Sequence, residues 1–166
     1  MIVTIVRHGQ AGSAATDESR ELTAKGIKDI GTAARRLHQL CERKALAIPA
    51  QIFHSAWRRT TQTADILAAG LAVPAEAFEP LLPQYGCADV DHGLALLGSL
   101  LGPNTHSLLV GHQPLVSQLV DHYLGEPGLA PGLSPGGLVC IDMDIAAAGC
   151  GRLLFWAMPP EYEGFV

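Results

Sequence analysis

Phosphoryl transfer without a metal needs a nucleophile, cations around the equatorial oxygens, and a way out for a poor leaving group. Four residues of this chain can supply the first two: Arg7, His8, Arg59 and His112. A neutral imidazole can attack phosphorus in line from one nitrogen while the other donates to a backbone carbonyl that fixes the tautomer. His8 is the candidate for that role. Arg7, Arg59 and a protonated His112 would form a cationic cradle, since guanidinium forks match phosphate oxygens in a planar, bidentate way that lysine cannot. Gly9 would let the backbone approach an anion closely. Ser55 could add a hydroxyl, and the helix start after it could add amide donors.

Each residue alone has a plainer explanation. A histidine at a strand end is most often a solvated loop residue. Arg59 could be a solvated helix residue, as its neighbour Arg58 shows that basic residues here need not all be functional. The arrangement changes the weighing, because every candidate stands at or just beyond the end of a predicted strand.

Ile2-Val3-Thr4-Ile5-Val6 is β-branched and apolar on both faces, the pattern of a central parallel strand covered by helices, and it leads into Arg7 and His8. Gln10 to Glu21 has no apolar periodicity and is expected to be a loop. Thr23 is placed to cap a helix through about Cys41, with Ile27, Ile30, Ala34, Leu37 and Leu40 near one face. A strand over Gln51 to His54 precedes a helix through Trp57, Thr60, Ala64 and Leu67 that stops at Gly70. Ala77 to Leu82 is expected to be a strand, and Val90 to Leu101 a helix closed by Gly102-Pro103. Ser107 to Val110 is a buried-type strand, after which Gly111-His112-Gln113-Pro114 opens a helix through Leu115, Leu119 and Tyr123. Gly125 to Pro135 is a Pro-rich surface connection. Gly137 to Met143 and Arg152 to Met158 should pair as a hairpin. These alternations predict an α/β three-layer sandwich with a mostly parallel sheet, whose ligands sit beyond the carboxyl ends of strands.

With 166 residues, one domain spanning 1–166 is expected, large enough to bury roughly 70% of the surface its unfolded chain exposes. Hydrophobic residues make up 48% and charged ones 16%, far from the composition of disordered chains. A net charge of −5 argues against a nucleic-acid partner. No uncharged apolar stretch approaches the roughly 20 residues of a membrane span, and no signal sequence fits the N-terminus, so a soluble, cytoplasmic protein is expected. Cys41, Cys87, Cys140 and Cys150 lack metal-type spacing and are expected as reduced, mostly buried thiols. No metal or cofactor is expected, and His38, His54, His92, His106 and His122 are taken as bystanders.

Arg7-His8-Gly9, the run Ser55-Ala56-Trp57-Arg58-Arg59-Thr60-Thr61-Gln62-Thr63, and Gly111-His112-Gln113-Pro114, each after a predicted strand, together resemble the histidine phosphatase superfamily, the phosphoglycerate-mutase-like group. Arg20-Glu21-Leu22-Thr23-Ala24-Lys25-Gly26 looks like the family's Arg-x-Leu-Thr-x-x-Gly segment. The resemblance spans roughly residues 1–124. It implies a covalent phosphohistidine intermediate on His8, with Arg7, Arg59 and His112 as phosphate ligands. Two positions depart from the pattern: Ala56 stands where the family often has Pro, and Thr60 where Ala is usual.

Many members place a glutamate general acid after the third strand, whereas Leu81 to Asp89 offers no clear equivalent. Asp89 is the best placed candidate, ahead of Glu79 and Asp91. Expelling an alkoxide needs protonation, but a phosphoramidate can leave as neutral imidazole. This gap, with the small size of the chain, resembles the SixA-type phosphohistidine phosphatases and implies a phosphohistidine-containing protein as substrate. The alternatives are a phosphatase of small phosphate compounds and a noncatalytic module that binds a phosphoprotein.

Overall fold

The computed structural model describes residues 1–101 and 105–165, with the backbone alone for residues 98–101. Its elements in chain order are β1 (Ile2–Arg7), α1 (Ala24–Arg43), β2 (Gln51–His54), α2 (Arg58–Leu71), β3 (Ala75–Ala77), α3 (Cys87–Leu101), β4 (His106–Gly111), α4 (Leu115–Leu124), β5 (Leu138–Met143) and β6 (Gly151–Ala157). The strands form one sheet in the order β3-β2-β4-β1-β5-β6. The first four are parallel; β5 runs antiparallel to β1, and β6 antiparallel to β5.

Alternation along the strands divides the core into two layers. Val6, Ile52, Leu108 and Val110 face α1 and α2, packing with Ile30, Ala34, Leu37 and Leu67. Val3, Ile5, Phe53 and Leu109 face the opposite side, against Val90, Leu94, Val116, Leu119 and Tyr123 of α3 and α4. Because β1, β2 and β4 are covered on both faces, they carry continuous apolar runs rather than a polar alternation. The expected α/β three-layer sandwich and the C-terminal hairpin are both present.

Thr23 caps α1 as its sequence suggests, its hydroxyl accepting from the Gly26 amide at 3.0 Å, an interaction typically worth about 1 kcal/mol. Gly26 is required by a close crossing: a Cβ there would collide with the carbonyl oxygen of Gln10, which also accepts from the Thr23 amide at 2.9 Å.

Other boundaries differ from expectation. Residues 77–82 are not a strand; β3 ends at Ala77, and Glu79–Leu81 form a 3-10 turn that buries Leu81. Pro80 lacks the amide a strand ladder needs, which explains the switch. Helix α3 begins at Cys87, three residues early, and its expected Gly102-Pro103 stop lies outside the described residues. The connection over 125–135 is not wholly superficial, since Ala130 and Leu133 are buried in the second core. Of the cysteines, Cys41 and Cys140 are buried, Cys87 is half-buried, Cys150 is exposed, and all are free. No described helix is long and apolar enough to cross a membrane.

Candidate active site

Strand order does the positioning. β4 lies between β1 and β2, and its register pairs Arg7 with Gly111 and His54 with Val110, so the residues that follow emerge side by side. The His8 amide donates to the Gly111 carbonyl at 3.1 Å, and the Ser55 amide to the Val110 carbonyl at 3.2 Å. His8, His112 and Ser55 therefore meet at the carboxyl edge of three adjacent parallel strands, and α2 brings in Arg59 one turn later.

His8 is 9% exposed. Its Nδ1 lies 2.8 Å from the Gly9 carbonyl oxygen, which can only accept, so Nδ1 carries the proton. Nε2 is left with a lone pair and accepts from Arg59 Nε at 3.1 Å. Burial, assisted by the charges of Arg59, Arg7 and Arg20, lowers the His8 pKa to about 4 against the opposing pull of the Gly9 hydrogen bond. The imidazole is neutral near pH 7, with its ring lone pair on Nε2, facing Arg59.

Arg59 is buried at 5% exposure and held from three sides. Besides His8, its Nη1 donates to the Asp17 carbonyl at 2.5 Å and its Nη2 to the Asp17 carboxylate at 3.1 Å. Asp17 is itself tied to Arg20 at 3.0 Å, and hydrogen bonds from Arg20 and then Arg59 hold its carboxyl below the usual aspartate range. The Arg7 guanidinium donates from Nη1 to the Leu133 carbonyl at 3.0 Å, a carbonyl shared with Gln113 Nε2 at 3.1 Å. Arg7 Nε is buried with no hydrogen-bond partner.

His112, 3% exposed, has its ring centroid 5.4 Å from that of His8, and its Nε2 is 2.7 Å from Ser55 Oγ. Its Nδ1 is buried without a partner. The expected protonated His112 is not its state in the free protein: burial, then the charges of Arg59 and His8, lower its pKa to about 3 despite Asp17. A dianion beside it would reverse that balance.

Arg7, His8, Arg59 and His112 are thus brought together, while the expected phosphate ligands Gly9 and Ser55 and the expected general acid Asp89 are placed differently. The Gly9 amide is committed to Thr63 Oγ1 at 3.1 Å, and a Cβ at Gly9 would press on Ile30 at 2.9 Å, so this glycine serves helix packing. Ser55 Oγ is occupied by His112, and the Trp57 and Arg58 amides at the start of α2 go to Ser55 Oγ and the Glu18 carbonyl rather than outward. Asp89 stands exposed in the first turn of α3, its carboxylate accepting from the Gly86 amide at 2.9 Å, and it lines a separate groove with Phe78, Tyr85 and His92. Its role there is to cap the helix.

The two departures from the family pattern act together. Thr60 is fully buried, with Oγ1 2.7 Å from the carbonyl oxygens of both Ser55 and Trp57, tying down the turn that lacks a proline at Ala56.

Several supporting residues were given no role by the sequence. Thr63 links Arg59 to Gly9, also donating to the Arg59 carbonyl at 2.7 Å. Gly136, at φ 83°, directs its amide at the carbonyls of Arg7 and His8 at 3.1 and 3.0 Å, and Tyr162 from the C-terminal tail donates to the Gly136 carbonyl at 3.1 Å. The Gly136-Gly137 pair before a strand is the one local signal that could have marked this turn. The Asp17 contact has only its i,i+3 spacing to Arg20 as a hint.

Buried neutral histidines have a cost in acid. His106, at the start of β4, joins His8 and His112 in this class: its Nδ1 donates to the Ala47 carbonyl, its Nε2 pairs with Thr4, and burial lowers its pKa to about 4. Unfolded histidines titrate near 6.5, so between about 4 and 6.5 the unfolded chain binds more protons and stability falls as pH falls. Urea midpoints should therefore be flat above pH 6.5 and decline steadily toward pH 4, less steeply in His106→Gln.

A family model described as the histidine phosphatase superfamily (branch 1) matches residues 3–82. No curated protein sequence gives a match. Among solved structures, the protein histidine phosphatase SixA complexed with tungstate is similar at 26% identity and a TM-score of 0.78, with 96% of this chain and 97% of that chain covered. The putative phosphohistidine phosphatase SixA from Agrobacterium tumefaciens shares the fold at 22% identity and a TM-score of 0.72, covering 96% and 98%. A mycobacterial glucosyl-3-phosphoglycerate phosphatase shares it at 17% and 0.67, covering 95% and 99%. Residues 3–82 thus match the histidine phosphatase superfamily model, and nearly the whole chain is similar in fold to a protein histidine phosphatase.

Proposed function

We propose that this protein is a metal-independent phosphatase that forms a covalent phosphohistidine intermediate on His8, and that its substrate is phosphohistidine in a protein. The observation that carries the reading is the state of His8: a neutral ring with its proton on Nδ1 and its lone pair on Nε2, beside the Arg59 guanidinium.

In the first step the Nε2 lone pair attacks phosphorus, and the bond from phosphorus to the substrate nitrogen breaks with its electron pair on that nitrogen. A substrate ring protonated at its other nitrogen then departs as neutral imidazole. In the second step water attacks phospho-His8, and Nε2 takes the pair back. Because Nδ1 keeps its proton, His8 also leaves as a neutral ring, and the water proton passes to the released phosphate. Arg59, Arg7 and His112, the last becoming protonated as the dianion arrives, would hold the equatorial oxygens.

The phosphohistidine assignment is supported by the acid at the site. Asp17, the carboxyl group that contacts this cluster, is held ionised by Arg20 and Arg59, so it cannot hand a proton to a departing alkoxide. A leaving group that needs no such proton suits this arrangement. The 26% identity to a protein histidine phosphatase over nearly the whole chain points the same way.

The test is phosphate release, in EDTA, from a phosphohistidine peptide and a phosphoserine peptide of matched sequence. The expected result is release from the first at least about 100-fold faster, with EDTA without effect, since removing a positioned proton donor commonly costs that much. Equal or faster release from phosphoserine would favour a small phosphomonoester as substrate. Binding of the phosphohistidine peptide without release would favour a noncatalytic module.

A further inference from the structure

We propose that Trp57 is the specificity wall of this site, an aromatic face that recognises the planar ring of the leaving group. The inference rests on the phosphohistidine reading above.

The two groups that Trp57 touches are nearly sealed: Arg59 is 5% exposed and His112 3%. Trp57 itself is half-buried, so its indole stands between these phosphate ligands and solvent. Its ring lies 4.7 Å from the Arg59 guanidinium carbon and 4.8 Å from the His112 ring centroid, the latter edge to face at 63°. The backbone of Trp57 is extended at the N-cap of α2, and this side chain does not serve as the cap. A large apolar ring at a cap position, where a small polar residue usually sits, is poorly explained by helix formation alone.

The direction of attack gives this position a meaning. In an in-line displacement the leaving group departs on the side of phosphorus opposite the nucleophile. His8 stands buried at the strand edge with its Nε2 facing Arg59, so on this proposal the leaving group lies on the outward side, where the indole is partly exposed. An imidazole there can stack on, or stand edge to face against, Trp57. An amine or alkyl group offers no such face. Aromatic pairing of this kind changes affinity by roughly two- to tenfold.

The experiment compares two N–P substrates on the full-length protein: phosphoimidazole, which has a ring, and phosphoramidate, which has the same bond and none. The quantity measured is the ratio of their kcat/KM values in the unaltered protein and in Trp57→Leu, Trp57→Gln and Trp57→Phe. Any loosening of Arg59 or His112 slows both substrates and cancels in the ratio. The expected result is a ratio that falls roughly two- to tenfold in the Leu and Gln variants, mostly through a higher KM for phosphoimidazole, and is retained in Trp57→Phe. A ratio unchanged in either non-aromatic variant overturns the proposal and leaves Trp57 as a buttress for Arg59 and His112. Failure of the unaltered protein to hydrolyse either compound would instead overturn the reading on which the proposal rests.

Discussion

His8→Ala should abolish phosphate release, lowering kcat by at least about 10⁴-fold, the scale on which removing a covalent nucleophile acts. No neighbouring group is placed to substitute. His112 is the other imidazole described at the site, but it follows the end of β4 with its ring centroid 5.4 Å from that of His8, beside His8 rather than in its place. The variant should remain folded, because the His8 backbone keeps its bonds to Gly111 and Gly136. It should also lose less stability in acid, since one buried neutral histidine is gone. Steady-state phosphate release and urea denaturation at pH 7 and pH 5 check both parts. Substantial residual turnover in a folded variant would remove His8 from the mechanism.

Arg59→Ala carries the second largest effect. This one side chain donates to the His8 nitrogen, anchors the Asp17 loop and places a positive charge beside His112. Losing a positioned cation of this kind costs roughly 10²- to 10³-fold in kcat. Arg59→Lys should recover little, because a single ammonium cannot serve His8 and Asp17 together as the guanidinium fork does. The pH profile should change in a defined direction. In the unaltered protein the acid limb of kcat/KM follows deprotonation of free His8, at about 4. Arg59 is one of the charges that lower the pKa values of both His8 and His112, so without it both rise toward 6.5 and the acid limb moves to higher pH. An acid limb that stayed in place would mean that Arg59 does not act on the nucleophile electrostatically.

Much of this site was legible in the sequence because it is built from strand ends. A β-branched run that terminates in Arg7-His8 announces both a buried strand and the sheet edge where ligands sit, and Ser107 to Val110 before His112 does the same. The placement of β4 between β1 and β2, which makes these ends neighbours, is a property of chain crossovers that local pattern does not encode. Gly9 was misread for a related reason. A glycine beside a catalytic candidate suggests room for an anion, but the space is filled by Ile30 of α1, distant in sequence. The misassigned strand over 77–82 reflects the ambiguity of short apolar runs: Phe78 and Leu81 are apolar because they pack with α3 and α4, not because they lie in the sheet.

The supporting shell was the least legible part. Asp17, Thr63, Leu133, Gly136 and Tyr162 act through hydroxyl, carboxylate or backbone groups, and each reaches a partner distant in the chain. Such contacts leave no periodicity behind. These residues hold the backbone at His8, the Arg7 and Arg59 side chains and the Asp17 loop that keep the motif residues converged.

Rapid-quench capture of the intermediate tests the central claim most directly. The protein is mixed with excess phosphoramidate, quenched in alkali within milliseconds, digested and mapped by mass spectrometry. The account predicts acid-labile, alkali-stable phosphate on the peptide containing His8, formed before steady-state release and absent from His8→Ala. Turnover with no phosphate on His8, or with the label on another residue, would contradict it.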